Sequence, residues 1–397
     1  MNGKNSSILL VAFLLLLAGC TASDDGRQGE HTAENEPLAT ALAVAETIDR
    51  DSDRDRVLAE ISIEEADAGN LAEGEAVADT ISGAVDRNWA LVWIAARYAE
   101  TGNQEKSDEL FASAREITEG IADPGEKSWM LAEMAGRYAQ AGDSDSADEI
   151  LETAFETLQS MDGDEQQIWL TAELAARYAQ AGNAEASRSL FNQAWEAGDR
   201  LPDHSAAAEA LIWIADRHAE GGDDEQAVEL LGAAEDRAME LDAESDPGER
   251  ADAFRGIAAD YSRLGAGDES QRLLENALET VDAIGDRFWR ARILTGIAGS
   301  YAEIGQSDRA LELLEQVDEI RSGIEGADDR DTILSELAIA YAQAGDFNRG
   351  LETAAGIGTR SDQAWALTRI AAAYESAGEQ PDEAGLAILA DVRAGLD

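Results

Sequence analysis

Cysteine and histidine are nearly absent from this chain of 397 residues, and each absence excludes a class of protein. The single cysteine, Cys20, allows no disulfide within the chain, so packing alone must hold the folded part together. The three histidines, His31, His204 and His218, lack the spacing of metal ligands, so we predict no metal site and no cofactor. Nucleophile-elbow and phosphate-binding glycine motifs are also missing, so the chain is not expected to be an enzyme.

Basic residues are few as well, since 83 acidic residues stand against 30 basic ones and the formal net charge is −53. Proteins that bind phosphate backbones carry patches of lysine and arginine, so nucleic acid is excluded as a partner. The acidic residues are spread through the whole chain, which is typical of adaptation to high salt, where screening weakens self-repulsion. The alternative is an acidic surface that recruits a basic partner.

Long apolar runs are missing except at the N-terminus, over Ile8–Ala18. These eleven residues are too few for a membrane-spanning helix, which needs about 20, so they indicate a secretory signal peptide. The sequence LAGC at 17–20 resembles the bacterial lipobox, which implies cleavage before Cys20 and a lipid on its sulfur. We therefore expect a signal peptide over 1–19 and a disordered acidic tether over 20–37. The protein would then be extracytoplasmic and anchored by lipid to a cell-envelope membrane.

One short pattern recurs along the rest of the chain: an aromatic residue with glycine four positions later. The pairs are Tyr98/Gly102, Tyr138/Gly142, Tyr178/Gly182, His218/Gly222, Tyr261/Gly265, Tyr301/Gly305, Tyr341/Gly345 and Tyr374/Gly378. Counted from Tyr98, the steps are 40, 40, 40, 43, 40, 40 and 33 residues, and Glu65/Gly69 form a further copy 33 residues upstream. A fixed period in this range indicates stacked repeats.

Each repeat reads as a helical hairpin when its aromatic residue (Glu65 in the first copy) is numbered zero. Alanine at −3, from Ala95 to Ala371, and bulky apolar residues at −4 and −7, with Thr171 the one exception, lie on one stripe of a first helix. Glycine at +4 can end that helix. A second helix follows, with small residues at +9 and bulky ones at +13, such as Ser107 and Phe111. One hairpin cannot bury its apolar stripe alone, so the hairpins must stack. His218 is expected to replace tyrosine in the core.

The Tyr-x-x-x-Gly turn and the small residue at +9 resemble a tetratricopeptide repeat. Alanine at +16 adds to the resemblance, at Ala114, Ala154, Ala194, Ala234 and Ala277. Most units have 40 residues where the family usually has about 34. The resemblance implies an all-α superhelical solenoid of about nine hairpins over 38–397. One extra helix near Leu38–Ile48 precedes the hairpins, and the short last unit is expected to be a cap.

Three tryptophans, Trp89, Trp129 and Trp169, share position −9 and are echoed by Trp365. In the family that the chain resembles, this face of the first helix lines the concave groove where peptides bind. An indole ladder there would anchor a partner. The alternative is that each indole packs on the preceding hairpin and serves only the fold.

Arginine recurs at position −1 in four successive units. These residues are Arg97, Arg137, Arg177 and Arg217. The residue four positions earlier is glutamate in two of the units, Glu133 and Glu173, and tryptophan in the other two, Trp93 and Trp213. Those spacings allow helical ion pairs and arginine–indole contacts. The arginines either clamp carboxylates of a partner or form surface pairs worth under about 1 kcal/mol each.

The function that the sequence predicts is a non-catalytic scaffold that binds a protein or peptide segment in its concave groove. The alternative is an accessory lipoprotein that binds a glycan or small ligand on its tryptophans. Exposed, coplanar indoles would favour a glycan, whereas indoles with polar neighbours would favour a peptide. The partner's identity and the oligomeric state stay open.

Overall fold

The computed structural model describes residues 35–161, 165–243 and 245–396, and all secondary structure in them is helical. The signal peptide, Cys20 and most of the tether lie outside the described residues. The nineteen described helices are α1 (Glu36–Ala45), α2 (Asp51–Asp67), α3 (Leu71–Ala78), α4 (Ala84–Glu100), α5 (Gln104–Glu119), α6 (Pro124–Gln140), α7 (Ser144–Gln159), α8 (Glu165–Gln180), α9 (Ala184–Gly198), α10 (His204–Glu220), α11 (Asp224–Glu240), α12 (Pro247–Arg263), α13 (Gly267–Val281), α14 (Arg287–Glu303), α15 (Ser307–Arg321), α16 (Ala327–Gln343), α17 (Phe347–Ala355), α18 (Arg360–Ala377) and α19 (Glu383–Ala394). Helix α1 begins two residues inside the segment predicted as tether.

The even-numbered helices from α2 to α18 are the first helices of nine repeats, and each of α2 to α16 packs against the odd-numbered helix that follows it. Every turn glycine has a left-handed φ, from +66° at Gly378 to +91° at Gly182, which a residue with a Cβ rarely adopts. In the α4–α5 turn, the amide of Asn103 donates to the carbonyl of Tyr98, which satisfies the end of the first helix. The predicted all-α repeat of helical hairpins is confirmed.

Neighbouring hairpins are joined by apolar packing that the repeat positions supply. The alanines at −3 are buried, and the buried small residue at +9 lets the two helices of a hairpin approach closely. Phe111 of α5 stacks on Tyr138 of the next hairpin, with ring centroids 3.9 Å apart. Phe191 stacks on His218 in the same way, at 3.6 Å, so His218 does replace a core tyrosine as predicted.

The two ends of the solenoid meet. Helix α18 does not pack against α19, the helix that follows it along the chain. It pairs instead with α1, the extra helix predicted from the sequence. Leu38, Ala41 and Val44 of α1 are fully buried in that contact, and α1 thereby completes the ninth hairpin. On its other side α18 packs against α2, and we call this α18–α2 contact the seam.

The predicted cap at the C-terminus is wrong, because a closed ring leaves no open end to cover. The last helix, α19, does not serve as the second helix of the ninth hairpin, since α1 holds that place. Instead α19 lies across α17 and α1 on the outside. Arg393 of α19 pairs with Glu36 of α1 at 2.5 Å, which ties the C-terminal segment to the start of the fold.

The first helices form the inner layer of the ring. The backbone of each packs closely against the first helix before and after it, whereas the second helices of neighbouring hairpins lie further apart and are bridged by long side chains, as in Lys106–Glu75, Arg115–Glu149 and Arg272–Glu235. Helices whose backbones pack closely all the way round the ring must lie on the circle with the smaller circumference. Nine helices spaced about 9 Å apart in a regular ring enclose an opening roughly 15 Å across, which we call the lumen. The glycine turns lie at one mouth of the lumen, the turn face, and the links between hairpins at the other, the loop face.

Candidate functional site

The candidate site is the surface that the first helices turn toward the lumen. Positions −9, −5, −1 and +2 follow one another at helical spacing, so they share one side of each first helix. They carry the half-exposed and charged residues of these helices, whereas −3 and −4 are buried in the core. We call this set of positions the inner surface. It contains every tryptophan and arginine that the sequence singled out.

The indoles of Trp89, Trp129 and Trp169 are half-buried and pack against the edge of the core. Trp169 lines a small cleft with Leu201 and with Ala206 and Glu209 of α10, and its ring lies 6.2 Å from that of Trp213, so it contacts the following hairpin. Its carbonyl accepts a hydrogen bond from the indole nitrogen of Trp213 at 3.3 Å. Trp169 therefore supports the joint with the next hairpin, and all three indoles remain partly exposed on the side of the helix that the register assigns to the lumen.

Arg97 and Arg137 bridge neighbouring first helices, and Arg97 is the more exposed of the two. Arg97 pairs with Asp67 of α2 at 2.7 Å and with Glu100 at 2.8 Å, and its side chain is 31% exposed. The guanidinium of Arg137 lies 3.5 Å above the ring of Trp93. The predicted contact of Trp93 is thus made by the arginine of the next hairpin rather than by Arg97 in its own helix. Arg217 does lie over Trp213 in its own helix, at 4.6 Å.

Arg177 and Arg217 belong to a buried chain of ion pairs that crosses α6, α8, α10 and α12. Arg177 contacts Glu133 and Glu173 at 2.6 Å each, and Arg217 contacts Glu173 at 3.0 Å. The chain continues through Asp216, Arg263 and Asp260. The side chains of Arg177 and Arg217 are only 9% and 5% exposed, so these are not the surface pairs that the sequence suggested.

The charges in this chain depend on one another. Although burial opposes it, the carboxylates of Glu133 and Glu173 raise the pKa of Arg177 above its usual range. Burial raises the pKa of Asp260 to about 8, against the opposing charge of Arg263. A partner's carboxylate could bind Arg177 or Arg217 only by displacing one of these neighbours. Arg97, whose side chain is 31% exposed, is therefore the ladder arginine that is most accessible to a partner, since the side chain of Arg137 is only 17% exposed.

Sequence reasoning missed Asp216, Asp260 and Arg263, which extend the chain beyond Arg217. A signal for interhelical pairs was present, because Glu133–Arg177 and Glu173–Arg217 are each separated by 44 residues, one repeat plus one helical turn. Comparing positions −5 and −1 of successive units would have paired them. Asp216 at −2 and Arg263 at +2 follow no such repeat, and only the packing brings them together.

The seam has its own ion pair, in which Arg369 of α18 contacts Glu64 of α2 at 3.0 Å. Glu60 lies one turn before Glu64 and is also buried. Burial raises the pKa of Glu60 to about 7 and that of Glu64 to about 8, against the charge of Arg369. Burial therefore opposes the ionisation of both carboxyls, and the charge of Arg369 favours it.

Other kinds of site are not found in the part of the chain that the structure describes. No cluster of histidine, cysteine, aspartate or glutamate there could hold a metal ion. None of the helices there has both the length and the apolar character needed to cross a membrane.

The hairpin architecture agrees with a match to one protein family. A family profile described as tetratricopeptide repeat matches residues 249–322, which cover most of α12 and extend through α15. No curated protein matches the chain. Among solved structures, Ton1535 from Thermococcus onnurineus NA1 is 18% identical over 83% of this chain and 94% of its own, with a TM-score of 0.31. A Rap protein complexed with competence and sporulation factor is 14% identical over 91% of this chain and 99% of its own, with a TM-score of 0.36.

A third structure, the putative kinesin light chain of Podosopora anserina with TPR-like repeats, is 23% identical over 51% of this chain and 98% of its own, with a TM-score of 0.32. The repeated hairpins and the matching profile define a tetratricopeptide-like helical repeat protein. Stacked helical repeats of this class present extended surfaces for protein–protein interaction.

Proposed function

We propose that the chain is a non-catalytic scaffold that binds a protein or peptide segment on its inner surface, held at a cell-envelope membrane by a lipid on Cys20. The observation that carries the proposal is the recurrence of half-exposed indoles at one register, on three successive first helices of the ring. Trp89, Trp129 and Trp169 are each half-buried, and their shared position −9 is on the side of the helix assigned to the lumen. Partly exposed tryptophans are typical anchors of protein–protein contacts.

The geometry of the indoles favours a peptide over a glycan. A glycan platform needs exposed and coplanar rings, but the planes of Trp169 and Trp213 are inclined by 39° and both indoles are half-buried. Polar groups lie close by, since Glu209 lines the cleft beside Trp169 and Arg137 covers Trp93. These groups can meet the amides and carbonyls of a peptide backbone. The ion pairs of the inner surface have structural roles and leave no candidate set of catalytic groups among the described residues.

The binding surface is tested by changing Trp89, Trp129 and Trp169 together to alanine and crosslinking the protein in its native membranes at high salt. We expect the crosslinked partner to be lost, because the indoles supply its apolar anchors. The matched control is Trp195→Ala, since Trp195 is a half-buried indole on α9 in the outer layer. Retention of the partner by a folded triple variant, or its loss in the control as well, would refute the proposal.

The melting temperature of each variant separates binding from folding. If the triple alanine variant unfolds, the same experiment is run with phenylalanine at the three positions, which keeps aromatic packing but removes the indole N–H and part of the ring. Partner loss in that folded variant supports the proposal, and unchanged crosslinking contradicts it.

The membrane tether is a separate prediction that rests on the lipobox resemblance at 17–20. Changing Cys20 to serine removes the sulfur that would carry the lipid. We expect the variant to leave the membrane fraction and appear in the soluble fraction, with an unchanged circular dichroism spectrum. If the variant stays with the membrane after a high-salt wash, the lipid anchor is wrong, while the inner surface remains open to its own test.

A further inference from the structure

The ion pair at the seam joins positions −5 and −1, as do the ion pairs at two joints inside the ring. At the seam, however, the acidic and basic residues have exchanged positions. At the α6–α8 and α8–α10 joints, glutamate at −5 of the earlier helix faces arginine at −1 of the later one, as in Glu133–Arg177 and Glu173–Arg217. At the seam the earlier helix, α18, supplies Arg369 at −5, and the later helix, α2, supplies Glu64 at −1.

No other joint has arginine at −5 and glutamate at −1 in the sequence. The α14–α16 joint also takes its arginine from the earlier helix, but Arg292 lies at −9 and its partner Glu336 at −5. The exchanged pair therefore distinguishes the seam, where the two ends of the solenoid meet, from the joints inside the ring.

A ring of similar hairpins can close in more than one register, because each first helix offers a similar apolar face to its neighbour. If the first hairpin were left out, α18 would dock on α4 and Arg369 would face Arg97 across positions −5 and −1. If the last hairpin were left out, α16 would dock on α2 and Glu336 would face Glu64. Both eight-hairpin rings would place like charges in a partly buried joint, where screening by salt is weak.

We propose that Glu64 and Arg369 select the nine-hairpin ring, by making the exposed face of α18 specific for α2 of the same chain. The correct closure brings the guanidinium of Arg369 to 3.0 Å from the carboxyl of Glu64, with side chains that are only 13% and 12% exposed. The two closures that are displaced by one hairpin are both opposed by charge. Nine joints bury more apolar surface than eight, so packing favours the same closure, and the charges at the seam add a preference that depends on which two helices meet.

Single charge reversals test the proposal, because the two reversals favour different misclosures. Glu64→Arg repels Arg369 and attracts Glu336, so the last hairpin is expected to be displaced. Arg369→Glu repels Glu64 and attracts Arg97, so the first hairpin is expected to be displaced. Amide hydrogen exchange measured peptide by peptide should be at least about tenfold faster in α18 for the first variant and in α2 and α3 for the second, a change of about 1.4 kcal/mol per tenfold.

If the pair only strengthened the seam, each single variant would increase exchange equally in α18 and in α2. The double variant Glu64→Arg with Arg369→Glu sharpens the contrast. Its seam regains opposite charges, but both misclosures also become complementary, so we expect both ends to exchange faster than in the unchanged chain. Full restoration of the original exchange pattern by the double variant would overturn the proposal, as would identical patterns in the two single variants.

The matched control is Arg292→Glu, which reverses a charge in an interior joint that cannot select a closure. Its faster exchange should be confined to α14 and α16. Where a reversal prevents folding, as judged by circular dichroism, Glu64→Gln and Arg369→Gln remove one charge each without creating repulsion. They should show the same difference between the two ends at a smaller factor, and an equal loss of protection at both ends contradicts the proposal.

Discussion

A chain that begins at Arg50, and so lacks α1, is expected to lose the closed ring and much of its stability. Leu38 and Val44 are fully buried, and Ile48 is 7% exposed. Each such side chain contributes about 1.5–3 kcal/mol when buried, so their removal should cost roughly 6 kcal/mol at the ninth hairpin. Helix α18 would then have no second helix, and the seam would have one partly unfolded side.

The measurements are the radius of gyration from small-angle X-ray scattering and hydrogen exchange in α18. The shortened chain should have a larger radius than the ring, and α18 should lose its protection. The matched control begins at Asn35, whose side chain accepts from the amide of Leu38 at 3.3 Å and so caps α1. It removes only residues before the described fold and should behave as the full chain does.

A synthetic peptide of residues 35–49 gives a second readout of the same prediction. Added to the shortened chain, it should restore protection in α18 and bring back the smaller radius, because the α1 site is formed by α18 and its neighbours. An unchanged radius and unchanged exchange in the chain that starts at Arg50 would show that closure does not depend on α1.

Arg217→Met is expected to destabilise the fold by about 3–5 kcal/mol, since it leaves buried carboxylates without their partner. Arg217 contacts both Glu173 and Asp216, whose side chains are 3% and 6% exposed. Methionine fills much of the arginine volume, so the effect reports the lost charge rather than a cavity. Unfolding by urea, followed by circular dichroism, measures it.

Arg97→Met is the matched control, because Arg97 holds the same register position but pairs with Asp67 near the surface. The exposed pair is worth under about 1 kcal/mol, and salt should reduce its small effect further. The effect of Arg217→Met should persist at high salt because its neighbours are shielded from solvent. Equal losses of stability in the two variants would mean that the buried ion pairs contribute no more to the free energy of unfolding than the exposed pair does.

Much of the fold could be predicted from residues that lie within one repeat. The apolar stripe at −3, −4 and −7, the turn glycine and the small residue at +9 each act over a few helical turns, so they appear directly as a period in the sequence. The extra helix near Leu38 was predicted for the same reason. The core position of His218 could also be predicted from the repeat, because His218 replaces tyrosine at position zero, where the ring stacks on the preceding hairpin.

The candidate site was less predictable, because its contacts run between helices. The register showed that Trp169 and Arg177 lie on the same side of their helix as the other ladder residues. It did not show that Trp169 packs on the following hairpin, or that Arg177 is enclosed by Glu133 and Glu173. Those outcomes depend on the axial offset between neighbouring helices, and single-helix periodicity does not contain that offset.

The hairpin, its repeat and the acidic character of the chain follow from the sequence alone. The closure of nine hairpins into a ring, the place of α1 in the ninth of them and the outer position of α19 emerge only from the packing of the whole fold. Closure depends on the sum of nine small rotations between hairpins. Each rotation is set by side-chain packing at one joint, and only when all are added do Glu64 and Arg369, 305 residues apart, come into contact.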